Sequence, residues 1–226
     1  MARTPPRLAD AHPALARGIV ELAERYAEAY PSRALSIIWV HRSPEEQNRA
    51  FEKGYSKVDG KNSFSRHNFL PSLAADVWVY GVEEQPDGGL FEGRPGRDQG
   101  ASLILRRGDL GLNSKEVWRE YEQMGEIAAQ ITGITKPLFW GGHWARIKDG
   151  PHIEVHARDR VLELQRVLRD LGSSPGELDG LWGSNTRRAY EDVCEHFGFT
   201  KKKVGGSFPC HPDVWKRMWE ELNSVV

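Results

Sequence analysis

Cysteine is scarce: the 226 residues hold two, Cys194 and Cys210. That excludes the disulfide framework of a small secreted domain and a metal site built on thiolates. One bridge between the two is possible, and nothing requires it. Long apolar runs are missing as well. No stretch approaches the roughly 20 residues of a membrane-spanning helix. The basic start Met1-Ala-Arg-Thr-Pro-Pro-Arg7 leads into no apolar segment of signal-peptide length. The expectation is synthesis in a cytoplasm without a leader, and no membrane insertion. An excess of either charge is absent too. The formal net charge is −1, with eleven Lys and Arg against eleven Asp and Glu from residue 157 onward and 20 against 21 before it. No basic field exists to neutralise a phosphate backbone, which excludes nucleic acid as a partner. Lys201-Lys202-Lys203 alone reads as a solvated loop. Nothing in the pattern calls for more than a monomer.

What is present is a patterned chain, long enough to bury about 70% of its unfolded surface. Leu15, Ile19, Leu22 and Tyr26 recur at helical steps and predict a helix from Pro13 to Tyr30, stopped by Pro31. The apolar run Ala34–Val40 predicts a buried strand. Ser43 with Glu46 three residues later is a capping-box signature for a helix over 44–54, closed by Gly54. Strands are expected over 73–80, 138–140 and 152–155, and a helix over 114–131. Helices and strands do not alternate regularly, so the expected class is α+β around a small mixed sheet. After residue 157 the pattern turns wholly helical. Val161, Leu164, Leu168 and Leu171 mark a helix ending at Gly172, and two more are expected over 185–197 and 213–222. The expected domains are therefore 1–156 and an all-α three-helix module over 157–226. Between residues 81 and 111 the chain is rich in Gly, Pro and Asp, a loop of a length that often covers a binding site.

Two stretches carry chemistry. Ser65-Arg-His67 follows a loop of small polar residues, so its imidazole is presented from irregular chain. Asp76 lies inside Leu73-Ala-Ala-Asp-Val-Trp-Val79, where a carboxylate is costly to bury unless a cation offsets it. In the second stretch, Trp140-Gly-Gly-His-Trp144 precedes Asp149-Gly-Pro-His152-Ile-Glu154. Catalytic zinc usually takes three His and carboxylate ligands and keeps a further position open. His67, Asp76 and His152 supply such a set, and Asp149 is placed to take a proton from water. The pattern is that of a single-zinc site hydrolysing an amide. Arg42, beyond the 34–40 strand, is either an oxyanion-stabilising cation or a surface residue before a helix. Glu154 either orients a ligand or is structural. His143 is a rival ligand, though substrate contact or packing suits it better, and Trp140 and Trp144 either line a groove or belong to the core.

His41-Arg-Ser-Pro-Glu-Glu-Gln47, Ser65-Arg-His-Asn68 with Ala75-Asp76, and Trp140-Gly-Gly-His-Trp144 with Lys148-Asp-Gly-Pro-His-Ile-Glu154 resemble the zinc peptidases that cleave peptidoglycan stems. That family includes the vancomycin-resistance D-Ala-D-Ala peptidases and the phage endolysins that are L-alanyl-D-glutamate endopeptidases. The resemblance covers roughly residues 14 to 156. It implies His67, Asp76 and His152 as zinc ligands, Asp149 as general base and Arg42 as the transition-state cation. It also implies peptidoglycan as partner and bacterial cell-wall degradation as outcome, with release to the wall through a holin if the chain serves phage lysis. The link 68–75 is longer than the family's and lacks its glycine, and His41 stands where an aromatic Tyr is common.

Leu164-Gln165, Leu168, Leu171-Gly172, Gly176, Asp179-Gly-Leu-Trp182-Gly183, Thr186 and Ala189 resemble the three-helix peptidoglycan-binding domain, with Val193-Cys194 in place of its usual Phe-Gln. Asp179 and Trp182 are the candidate wall-binding residues. The resemblance implies an anchor that raises local substrate concentration. The alternatives are a D-Ala-D-Ala or L,D-carboxypeptidase on the same zinc site, and a wall-binding protein without activity.

Overall fold

In this computed structural model the described residues are 7–81, 91–92, 103–104, 114–145, 148–199 and 208–224. Most of the expected 81–111 loop, and Lys201-Lys202-Lys203, lie outside them. The chain forms two compact units, Met1–His41 with Ala74–Val155, and Arg42–Leu73 with His156–Val226.

The first unit is helix on sheet. Helix α1 (Pro13–Ala29) starts with proline at its first position, and the His12 Nδ1 accepts from the Ala14 N–H at 3.2 Å. Its buried stripe is Leu15, Ile19, Leu22 and Tyr26, as the spacing predicts. The strands are β1 (Arg33–Trp39), β2 (Ala74–Gly81), β3 (Phe91–Glu92), β4 (Leu103–Ile104), β5 (Phe139–Trp140) and β6 (His152–Glu154). They join in the order β3-β1-β2-β6-β5, with β4 also on β2. β1 and β3 run parallel and the other pairs antiparallel, so the sheet is mixed and the class is α+β. β1 is buried from Ala34 to Ile38, which is why it reads as an apolar run broken by Ser36 alone. Helix α3 (Ser114–Ala128) packs on α1. Glu120 of α3 accepts from the Tyr26 hydroxyl at 3.0 Å and from Arg33 Nη2 at 3.0 Å, tying α1, β1 and α3 at one carboxylate. Burial, then the Glu120 charge, pushes the Tyr26 phenol above its ordinary range.

The second unit is helical. Helix α2 (Pro44–Glu52) opens with the expected capping box: Glu46 N–H donates to Ser43 Oγ at 3.2 Å, and Ser43 N–H donates to Glu46 Oε2 at 3.1 Å. Helices α4 (Ala157–Asp170), α5 (Ser184–His196) and α6 (Pro212–Ser224) follow. Leu164, Leu168, Val193, Val214, Trp215 and Met218 are buried among them. Gln165 fixes the turn after α4. Its Nε2 donates to Asp179 Oδ1 at 3.0 Å and to Thr186 Oγ1 at 3.1 Å, while its Oε1 accepts from the Gly180 N–H at 2.8 Å. Gly180 has φ +73°, and a Cβ there would lie 2.6 Å from the Arg158 carbonyl oxygen, so the turn requires glycine. Cys194 and Cys210 are free thiols, both buried. No helix among the described residues is long and apolar enough to cross a membrane.

Candidate metal centre

The site begins in the sheet. Asp76 on β2 and His152 on β6 are directly paired residues of the antiparallel ladder. Their side chains therefore leave the same face, and His152 Nδ1 lies 3.3 Å from Asp76 Oδ1. On its other side, His152 Nε2 lies 3.3 Å from Glu154 Oε2. Glu154 is two residues further along the same strand, so it also projects from that face. β1 carries a bulge between Ile37 and Trp39, where its pairing passes Asp76. Bulges of this kind re-aim side chains beside functional sites.

His152 is buried, and burial opposes a charge on it. The hydrogen bonds and charges of Asp76 and Glu154 outweigh that opposition and raise its pKa from 6.5 to about 9. The two carboxylates thus favour the charged form of the imidazole that lies between them. The ring of Trp144 lies 4.7 Å from the imidazole, centroid to centroid.

His67 is held by its own loop. It lies in a single 3-10 turn, Arg66–Asn68, capped by Ser65. Ser65 N–H donates to Asn68 Oδ1 at 2.8 Å, and Ser65 Oγ accepts from the His67 N–H at 3.4 Å. The same turn grips Arg42: Arg42 N–H donates to the His67 carbonyl at 2.8 Å, and Asn68 Nδ2 donates to the Arg42 carbonyl at 3.0 Å. The spacing Ser65-x-x-Asn68 is the signal in the sequence that could have marked this cap.

One ligand atom each from His67, Asp76 and His152 lies within 4.8 Å of the other two, a group that could hold a metal ion. The donor chemistry fits a catalytic divalent cation: two imidazoles and one carboxylate, with coordination positions left for substrate and water. His143 and Glu154 are not in the group.

Asp149 is half-buried in the turn that feeds β6. Its N–H donates to the Gly141 carbonyl at 3.3 Å, and its own carbonyl accepts from the His152 N–H at 3.4 Å. A Cβ on Gly141 would sit 2.7 Å from the Asp149 carbonyl oxygen and 2.9 Å from the His152 Cβ, so only glycine permits this approach. Trp140 supports the turn from beneath. It is 5% exposed, and its Nε1 donates to the Gly150 carbonyl at 2.7 Å. A Cβ on Gly125 or Gly142 would lie 2.3 or 2.2 Å from its ring. His143 is exposed and sets its ring against Trp140 at 5.2 Å.

Comparison with known proteins gives a structural likeness. The chain is similar to the Serratia marcescens L-Ala D-Glu endopeptidase ChiX, with 28% identity over 67% of this chain and 85% of that chain, and a TM-score of 0.41. No protein-family model and no curated protein matches the sequence.

In the helical unit, Asp179 accepts from Gln165 Nε2 and from the Leu181 N–H at 2.8 Å; these bonds, the one from Gln165 foremost, lower its pKa. Trp182 is half-buried, 5.9 Å from the Tyr190 ring, and Leu181 beside it is 57% exposed.

Proposed function

We propose that the chain is a zinc-dependent peptidoglycan peptidase, and that the bond it hydrolyses is the L-alanyl-D-glutamate amide of the stem peptide. The carrying observation is the meeting of His67, Asp76 and His152 in one group with ligand atoms within 4.8 Å. The peptidoglycan assignment draws on the sequence motifs that surround these residues.

His67, Asp76 and His152 would hold the Zn2+. When bound, the ion supplies Lewis acidity, polarising the scissile carbonyl and making water acidic enough to lose a proton near neutral pH. Asp149 takes that proton and later delivers it to the leaving amine. Arg42, held through its backbone to the His67 turn, offers its guanidinium to the negative charge that develops on the carbonyl oxygen. Trp144 shields His152 from water. Residues 157–226 act as a wall anchor through the Asp179–Trp182 turn, which keeps the catalytic residues close to their polymer. In this reading the enzyme is an endolysin that reaches the wall and lyses the host.

Digestion of purified sacculi, with and without a zinc chelator, tests the proposal. Mass spectrometry should find fragments with a new D-Glu amino end, absent under chelator. Release of terminal D-Ala alone would move the chain to the carboxypeptidases. Binding without cleavage would reduce it to an anchor.

A further inference from the structure

We infer that the C-terminal helix positions the loop that carries His67, with Trp215 as the positioning residue. The inference rests on the reading of His67 as a metal ligand.

His67 lies between two aromatic residues, Phe64 and Phe69, and both pack on the C-terminal segment. Phe69 is buried. Its ring meets Phe208 at 5.2 Å and Trp215 at 6.3 Å, edge to face in each case. Phe208 and Trp215 close the trio at 5.8 Å. Trp215 also donates from Nε1 to the Pro71 carbonyl at 3.1 Å, across 144 positions of sequence. On the other flank, Phe64 sets its ring edge-on to His211 at 4.7 Å. His211 is fixed in turn, since its N–H donates to the Tyr190 hydroxyl of α5 at 2.9 Å and its Nδ1 caps α6 by accepting from Asp213 N–H at 3.2 Å.

The bonds inside the loop close it on itself. Asn68 N–H donates to the Ser65 carbonyl at 3.0 Å, and Leu73 N–H donates to the Arg66 carbonyl at 3.3 Å. The aromatic contacts are what seat this loop on a helix. A fully buried indole with two edge-to-face partners and its N–H bonded has few other places to go. Arg42–Leu73 and His156–Val226 belong to one compact unit. The C-terminal helices therefore do two jobs: they carry the wall-anchor turn, and they hold a ligand of the metal in place. Disturbing α6 should weaken metal binding even though no α6 residue belongs to the metal group.

The test uses the full-length chain, Co2+ as probe with a competing chelator, and hydrogen exchange of the Asn68 and Leu73 amides. Trp215→Ala should weaken Co2+ binding by about tenfold or more, the range seen when a ligand's support is removed, and should speed exchange at both amides. Trp215→Phe keeps a ring but loses the bond to Pro71, and should fall between it and the parent. Gln165→Ala removes hydrogen bonds that all lie in the α4–α5 turn, and should leave Co2+ affinity unchanged. Parental Co2+ affinity and exchange in Trp215→Ala would overturn the inference, as would an equal loss in Gln165→Ala. If Trp215→Ala does not fold, parental behaviour of Trp215→Phe overturns it instead. A parent chain that takes up no Co2+ would sink the metal reading, and loop exchange in the Trp215 variants would then decide alone whether α6 holds the loop.

Discussion

Asp76 and His152 face each other as paired residues of adjacent antiparallel strands, with Oδ1 and Nδ1 3.3 Å apart. Glu154 stands at the other ring nitrogen at the same distance. The pair makes the metal-free protein sensitive to pH. The pKa of His152 is raised from 6.5 to about 9, so its protonated form is favoured in the folded state. That contribution is fully present below pH 6.5 and is lost as pH rises through about 9. The Tm of the metal-free protein should fall across this window. Asp76→Asn should flatten the fall in thermal melts recorded from pH 6 to 10.

Glu154→Gln tests the outer carboxylate with metal bound. A metal-ligating histidine usually gives its second N–H to a carboxylate, which fixes the ring and strengthens the ligand. If Nδ1 faces the metal beside Asp76, Nε2–H donates to Glu154. The substitution should weaken Zn2+ binding roughly 10- to 100-fold and shift the visible spectrum of the Co2+ form. Competition with a chromophoric chelator reads the first, and absorption spectroscopy the second.

Gly141→Ala places a methyl group 2.7 Å from the Asp149 carbonyl oxygen. Backbone cannot yield as a flexible side chain can, so the turn that sets both Asp149 and His152 must shift. A displacement near 1 Å at a catalytic group costs on the order of 100-fold in rate. Turnover should fall by about that factor, with the far-UV spectrum unchanged.

Glu120→Ala should act on stability alone. It leaves the buried Tyr26 hydroxyl without its acceptor and Arg33 without its ion-pair partner. Loss of about 2 kcal/mol is expected, within the range for unpaired buried polar groups. Urea unfolding measures it, and Zn2+ affinity should stay at the parental value.

Local signals carried most of the fold. Leu15, Ile19, Leu22 and Tyr26 announced α1, Ser43 with Glu46 announced α2, and the apolar run after Ala34 announced β1, because each rests on neighbours within one or two turns of chain. Asp76 stood out for a similar reason: a carboxylate amid buried strand residues needs a partner. What could not be read were contacts made across long stretches of sequence. Phe69, Pro71 and Trp215 carry no mark that they meet. The link 68–75 departs from the family pattern, and its Phe69 and Pro71 are the positions that meet α6. The sequence leaves Trp140 open between groove and core, because its depth is set by the closeness of Gly125 and Gly142 to its ring.

The most direct measurement is a titration of Zn2+ into the metal-free full-length chain, following release of stem peptides from sacculi, with Asp149→Asn alongside. Activity should rise to a plateau at one equivalent in the parent. The variant should take up Zn2+ equally but show no turnover. Turnover by the metal-free chain, or an Asp149→Asn variant as active as the parent, would contradict it.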